Sequence, residues 1–258
     1  MPDLSLSRYG PWALVTGGSE GVGRSFALQL AEAGLSVLLV ARRAEPLEAT
    51  ADECRSHGVE ARTLVLDLAR PDAAAELAAA AADLEVGLLV CNAGADTSGR
   101  SFLEAGLDEH HAVIDLNLTV PLGLVHHFAP LMRDRGRGGI VLLGSRASEV
   151  GSVRHTVYGG AKSFVRNFAE GLWLELRDSG VDVLCLVLGL TRTPAMDRVG
   201  MRLDVPGLEA ADPDDVVREG LAHLSDGPVH VIGHQPRRPR AEVVLAVHEV
   251  MSKLTVPD

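Results

Sequence analysis

Aromatic residues are scarce in this chain: Phe, Trp and Tyr make up 3% of its 258 positions, although 47% of the residues are hydrophobic. Val, Leu and Ala carry the apolar content instead, a composition expected of a parallel sheet covered on both faces by helices. Cysteine is rare too, and its three positions, Cys54, Cys91 and Cys185, are odd in number and lack metal-ligand spacing. That argues against a disulfide scaffold and a cysteine metal cluster, and leaves reduced thiols in a cytoplasmic protein. Basic residues are outnumbered, with 24 Lys and Arg against 35 Asp and Glu and a net charge of -11. Phosphate-binding surfaces draw affinity from clustered Lys and Arg, so a nucleic acid, an anionic membrane and a polyanionic substrate are all disfavoured. The apolar runs are too short or too interrupted by charge to span a bilayer, and the opening MPDLSLSRYGPW lacks the basic and apolar stretches of a secretory signal. No linker rich in Pro, Gly or Ser divides the sequence, so residues 1–258 are expected to form a single domain.

What is present is an alternation. Short apolar runs bounded by turn residues occur at 12–17, 36–41, 61–67, 87–94, 139–145, 181–189 and 228–233, and helical patterns fill the intervals, notably 108–135 and 156–179. Repeated strand–helix–strand units predict an α/β fold, a Rossmann-type doubly wound parallel β-sheet with right-handed crossovers and helices on both faces. Ligands of such sheets bind beyond the carboxyl ends of the strands, where the strand order reverses, so functional residues are expected just after strands. The alanine-rich stretch Ala73 to Ala82 predicts a plain covering helix. The tail 236–258 opens with prolines and arginines and closes in a helical pattern, either capping the sheet or meeting another subunit.

Three stretches bear chemistry. TGGSEGVG, Thr16 to Gly23, follows the first strand and opens a helix. Glycines at 17, 21 and 23 permit a tight turn, close approach of backbone to a pyrophosphate and tight helix packing, while the helix start offers unpaired N–H groups to the anion. Gly17, Ser19, Glu20, Gly21, Val22 and Gly23 are the candidate cofactor contacts; the alternative is a merely structural turn. The second strand ends in Arg42 and Arg43, where an NAD-preferring fold carries an acidic residue. A guanidinium grips a 2′-phosphate through paired bonds, which favours NADP (NADPH) over NAD unless these arginines are only solvated charge. Glu20 works against that reading by adding a negative charge nearby. The third stretch, TVYGGAKS, sets Tyr158 four residues before Lys162 on a helical pattern, so the two side chains share one face, one turn apart. Taken alone, the pair also fits a packed tyrosine beside a solvated lysine. The adjacent pairs His110-His111 and His126-His127 point in different directions on a helix and do not make the i, i+4 clamp of a metal site, so no metal is expected.

In this order the motifs resemble the short-chain dehydrogenase/reductase family, from about Tyr9 to about residue 235. Thr16-Gly17-x-x-x-Gly21-x-Gly23 matches its cofactor motif, Asp67, followed by Leu68, its adenine contact, and Asn92-Ala93-Gly94 its turn after the fourth strand. Asn117 matches the active-site asparagine, Ser145 stands at the family's usual distance before the tyrosine, and Tyr158-Gly159-Gly160-Ala161-Lys162 matches Tyr-x-x-x-Lys. Thr191 and Thr193 fall where the family contacts the carboxamide and pyrophosphate. Two positions depart from the pattern: Leu188-Gly189 replaces the usual Pro-Gly, and Gly144 and Arg146 flank the serine, Arg146 facing either solvent or the substrate mouth.

The resemblance implies hydride transfer between NADPH and a carbonyl or secondary alcohol, with Tyr158 as acid and base. A free tyrosine titrates near ~10 and is a reluctant acid or base at neutral pH, and a neighbouring ammonium favours the tyrosinate. By the same resemblance Lys162 also binds the nicotinamide ribose and Asn117 holds a water in the proton path. Ser145 would donate to the substrate oxygen as charge builds on it, a contact worth about 3 kcal/mol of barrier. The alternative is a dinucleotide-binding sensor or scaffold without turnover, against which the complete set of Asn117, Ser145, Tyr158 and Lys162 argues. Residues 190–211 are expected to cover the substrate, and Met196, Val199, Met201 and Leu203 suggest an apolar one, or else simply anchor the cover. Family analogy also implies a homodimer or homotetramer built on helices 108–135 and 156–179.

Overall fold

Side chains alternate across a strand, so an apolar run in a sheet covered on both sides feeds two separate cores. The computed structural model describes residues 6–95, 100–198 and 210–233, together with Glu242 and Leu245. The elements run α1 (Leu6–Tyr9), β1 (Trp12–Thr16), α2 (Gly21–Glu32), β2 (Ser36–Ala41), α3 (Ala44–Ser56), β3 (Ala61–Val65), α4 (Ala73–Ala80), β4 (Val86–Cys91), α5 (Leu107–Ile114), α6 (Val120–Arg135), β5 (Gly138–Ser145), α7 (Thr156–Leu176), β6 (Val181–Leu188), α8 (Pro194–Arg198), α9 (Pro213–Ala222) and β7 (Val229–Val231). The strands form one sheet in the order β3-β2-β1-β4-β5-β6-β7, with every pair parallel. This is the expected doubly wound Rossmann-type arrangement, and its order reverses between β1 and β4.

The two cores follow the alternation. Val15, Leu39, Val90, Val141 and Leu186 face Phe26 and Leu30 of α2, Leu47 of α3 and Val217 of α9. Their neighbours Leu14, Val40, Leu89, Leu142 and Val187 face Leu77 of α4, Leu124 and Phe128 of α6, and Val165 of α7. Each such side chain, fully buried, contributes about 1.5–3 kcal/mol relative to exposure.

Two expectations are adjusted. The alanine-rich helix ends at Ala80 rather than Ala82. A turn of π-helix, Asp115–Thr119, carries α5 into α6 without a break, so Leu107–Arg135 is one helix of 29 residues, long and apolar enough by length and composition to cross a membrane. Apolar run lengths miss this because a helix collects its apolar residues on a face rather than in a run. That face is already occupied: Val120, Leu124, Val125, Phe128 and Met132 are buried in the core beside α4 and the sheet. The residues expected to line the substrate cover at Val199, Met201 and Leu203 lie outside the described residues, as does the tail 236–258 apart from Glu242 and Leu245.

Candidate active site

The carboxyl ends of β1 and β4, on either side of the reversal, are tied together by side chains. Thr16 Oγ1 donates to Val90 O (3.3 Å) and accepts from Ala93 N (3.0 Å). Asn92 Nδ2 donates to Thr16 O at 2.8 Å and to Gly17 O at 3.3 Å. These bonds hold Asn92 and Ala93 against the glycine turn. The turn needs its glycines: Gly17 has φ +71°, and a Cβ on Gly23 would stand 2.1 Å from Gly17 O. No side chain caps the start of α2, because Glu20, at its N-cap, makes no capping bond. An uncapped helix start behind a turn too tight for Cβ atoms fits a bound pyrophosphate, so Gly17, Ser19, Gly21, Val22 and Gly23 would hold that part of a dinucleotide.

At the end of β2, Arg42 is exposed and Arg43 turns to the Glu20 carboxylate. Glu20 is also bound by Arg198 of α8, and these bonds, Arg198 first, hold its carboxyl below the usual range. Asp67 is exposed beyond β3 and accepts from Ala69 N at 3.1 Å, while Leu68 is buried beside it. Thr191 is buried, and its backbone bridges to Ala211. Thr193 packs on the glycine turn, its Cγ2 lying 3.0 Å from where a Cβ on Gly21 would be.

The other four residues meet beyond β4 and β5. Asn117 stands in the π turn, where an extra residue per turn re-aims a side chain, a device frequent at functional sites. It is 1% exposed; Nδ2 donates to Val113 O at 2.8 Å, and Oδ1 has no hydrogen-bond partner among the described residues. A buried acceptor left in that state is costly and calls for a functional reason. Gly94 marks the meeting point, for a Cβ there would stand 2.6 Å from Asn117 Oδ1 and 3.1 Å from Lys162 Nζ.

Lys162 is buried on α7 and donates to the main-chain oxygen of Leu143 at 2.8 Å. Burial pushes its pKa down to about 8. Burial also pushes the neighbouring thiols of Cys91 and Cys185 up to about 12. Nζ lies 5.5 Å from the centroid of the Tyr158 ring, so the expected pairing on one helix face is present. Ser145 ends β5, where its Oγ accepts from Ala147 N (3.2 Å) and caps a short 3-10 turn, Arg146–Ser148.

Two residues of this site carry no signal in a sequence pattern. Ser163 Oγ lies 2.9 Å from both Ser148 O and Gly159 O and shares its single proton between them, which fastens the turn after Ser145 to α7. Gly159 lets the turn come close, since a Cβ there would lie 2.9 Å from Ala147 O. The approach of the turn after Ser145 to the start of α7 is thus set by Gly159, inside the Tyr-x-x-x-Lys motif, and by Ser163, just after it. Arg146, half-exposed, forms a loose ion pair with Glu149 at 3.8 Å, and its Cδ lies 3.7 Å from the Cβ position of Gly189, so its stem crosses the Leu188-Gly189 turn.

Comparison with known proteins agrees with this geometry. The profile of the short chain dehydrogenase family matches residues 11–203. The chain belongs to that family. It is accordingly an NAD(P)-dependent oxidoreductase acting on C=O and CH–OH groups. This short-chain dehydrogenase is 32% identical over 190 residues to a 7beta-hydroxysteroid dehydrogenase of Collinsella aerofaciens, covering 73% of this chain and 72% of that one. A short-chain dehydrogenase from Sphingobium yanoikuyae, solved in complex with NADPH, superposes with a TM-score of 0.84 at 30% identity, over 96% of this chain and 98% of the other. The bulky-bulky ketone specific alcohol dehydrogenase from Comamonas testosteroni gives a TM-score of 0.82 at 26% identity, over 96% of both chains.

Proposed function

We propose that this short-chain dehydrogenase is an NADP-preferring carbonyl reductase, working in reverse as an alcohol dehydrogenase, on a substrate with a bulky apolar body. The observation that carries the reading is the convergence of Asn117 Oδ1 and Lys162 Nζ beside Gly94, with Tyr158 one helical turn from Lys162. Arg42 and Arg43 after β2 support NADP over NAD, since neither is replaced by the carboxylate that would bind an adenosine ribose. Gly17, Ser19, Gly21, Val22, Gly23, Asn92, Ala93, Gly94, Thr191 and Thr193 would hold the dinucleotide, and Asp67 and Leu68 would meet its adenine. The relatives that act on a hydroxysteroid and on bulky ketones support an apolar substrate.

The bound cofactor supplies the hydride. In the reductive direction Tyr158 Oη gives its proton to the substrate oxygen. Ser145 Oγ donates a hydrogen bond to the same oxygen and stabilises the charge that develops there. The Lys162 ammonium favours the tyrosinate that remains, and Asn117 Oδ1 accepts a bond from the water that returns a proton. The Ser163 hydroxyl fastens the turn after Ser145 to the first turn of α7, which helps set orientation before substrate arrives.

We assign the subunit interface of a homodimer or homotetramer to Leu107–Arg135 and α7, which leave Leu122, Leu131 and Phe164 exposed. Three buried, unpaired cysteines suit a cytoplasmic location. The decisive experiment is Tyr158→Phe, assayed with NADPH and a panel of bulky ketones. Turnover is expected to fall by about a hundred- to ten-thousand-fold, with the dissociation constant for NADPH unchanged. Near-normal turnover in that variant refutes the assignment.

A further inference from the structure

One carboxylate joins three parts of the chain that serve different ends of the proposed reaction. Glu20 closes the glycine turn, Arg43 follows β2, and Arg198 ends α8 at the start of the substrate cover. Arg198 Nη1 donates to Glu20 Oε2 at 2.9 Å and its Nη2 donates to Oε1, while Arg43 Nη2 also donates to Oε2. The carboxylate is the most enclosed of the three, with 24% of its side chain exposed against 53% for Arg43 and 51% for Arg198. Two guanidinium groups sharing one oxygen repel each other, and that repulsion is offset only while the carboxylate lies between them.

A phosphate monoester beside Arg43 changes the balance. It carries about -1.5 to -2 charges and three strong acceptor oxygens, so it outbids a single carboxylate for the guanidinium. Glu20 then faces an anion and is left to Arg198. The packing supports a mechanical link, because the entry to α8 already rests on the glycine turn, Thr193 Cβ lying 3.1 Å from the Cβ position of Gly21. Glu20 makes no capping bond to α2, so its carboxylate is committed to the arginines rather than to the helix.

We propose that Glu20 is a positioning residue that couples cofactor choice to the substrate cover: it competes with the 2′-phosphate for Arg43, and through Arg198 it ties α8 to the glycine turn. The competition rests on the reading of Arg43 as the partner of the 2′-phosphate. A cofactor lacking that phosphate leaves both arginines on Glu20, whereas NADPH leaves Arg198 as the sole partner among the two.

The test uses the full chain in wild-type, E20Q, R43Q, R198Q, E20Q/R43Q and E20Q/R198Q forms. NADPH and NADH are titrated separately by fluorescence, and hydrogen exchange over residues 190–198 is followed by mass spectrometry without cofactor. E20Q is expected to raise the ratio of NADPH to NADH affinity by about two- to five-fold, the range that a half-exposed ion pair commands. R43Q is expected to lower that ratio and to abolish the effect of E20Q. Exchange over 190–198 is expected to rise in E20Q and in R198Q, and to rise no further in their double variant. If R43Q lowers the ratio while E20Q leaves it unchanged, the competition is refuted and the NADP reading stands. Unchanged exchange in both E20Q and R198Q refutes the tie to α8. If R43Q leaves NADPH affinity untouched, the NADP reading itself is wrong and the competition falls with it.

Discussion

Lys162 pays for its position in stability, and the cost can be measured. The residue is 4% exposed, and its pKa is pushed down from 10.5 to about 8, chiefly by burial. In the unfolded chain the amine keeps its proton to about pH 10.5, and in the folded chain it loses it near 8. Between those values the unfolded state binds more protons, so stability contributed by this group rises with pH through the window and the full cost is present below it. At ~1.4 kcal/mol per pH unit the cost is roughly 3 kcal/mol at neutral pH. Lys162→Met keeps the unbranched length and removes the ammonium, but it also leaves the Leu143 main-chain oxygen without its 2.8 Å donor, a loss of about 1–3 kcal/mol. The variant is therefore expected to be inactive, at least as stable as the wild type at pH 7, and less stable than it near pH 10.5. Urea unfolding at intervals between pH 7 and 10.5 reads the difference directly. Parallel pH dependences in the two proteins refute the reasoning, because they would mean that Lys162 does not titrate differently on folding.

Two further substitutions probe the supports of the site. Gly23→Ala places a methyl 2.1 Å from Gly17 O and 2.5 Å from Asn92 Nδ2, and since the first of these is backbone the glycine turn must move; NADPH affinity is expected to fall by more than about ten-fold, read by fluorescence titration. Ser163→Ala removes the donor to Ser148 O and Gly159 O, worth about 1 kcal/mol, and is expected to lower kcat about five-fold in steady-state assays with the KM for NADPH unchanged. An equal rise in that KM would show that Ser163 supports the fold at large rather than the spacing of Ser145 and Tyr158.

How much of this was legible in the sequence depends on which atoms make each contact. Strands β2, β5 and β6 were readable to within a residue because apolar runs must be buried on both faces. Gly17 and Gly23 were readable because the turn excludes any Cβ, which is a statement about residue type. Lys162 was readable as a partner of Tyr158 through helix periodicity, but its bond to Leu143 is to a main-chain oxygen and leaves no trace in residue identity. The π turn under Asn117 has no composition of its own in DLNLTVP, so an Oδ1 without a partner among the described residues shows only in the folded chain. In sequence Glu20 is only an unfavourable charge near Arg43, for its second partner lies 178 residues away and no local pattern connects them. The residue type of Arg146 does not give its direction; the fold places its stem over Gly189 and its guanidinium beside Glu149, with the side chain half-exposed.

The sheet also divides its costs and its supports by direction. Because all strands are parallel, every amino end lies on one side of the molecule and every carboxyl end on the other. At the amino ends an ion-paired cluster closes the fold: Arg8 grips both oxygens of Asp182 at 2.6 Å, Tyr9 Oη donates to the same carboxylate at 2.6 Å, and Arg137 donates to Ser7 O (3.2 Å) and Gly10 O (3.1 Å) while pairing with Glu85, although the buried Nε of Arg135 beside it has no hydrogen-bond partner among the described residues. At the carboxyl ends stand Asn117 Oδ1, an acceptor without a partner among the described residues, and Lys162, an ammonium whose pKa burial has lowered. Unsatisfied and desolvated groups are destabilising wherever they occur, so they persist only where the rest of the fold supplies a surplus. The parallel sheet gathers Asn117 and Lys162 a strand length away from the ion-paired cluster around Asp182, so that cluster helps hold the fold while the carboxyl side keeps its donors and acceptors poised for a ligand.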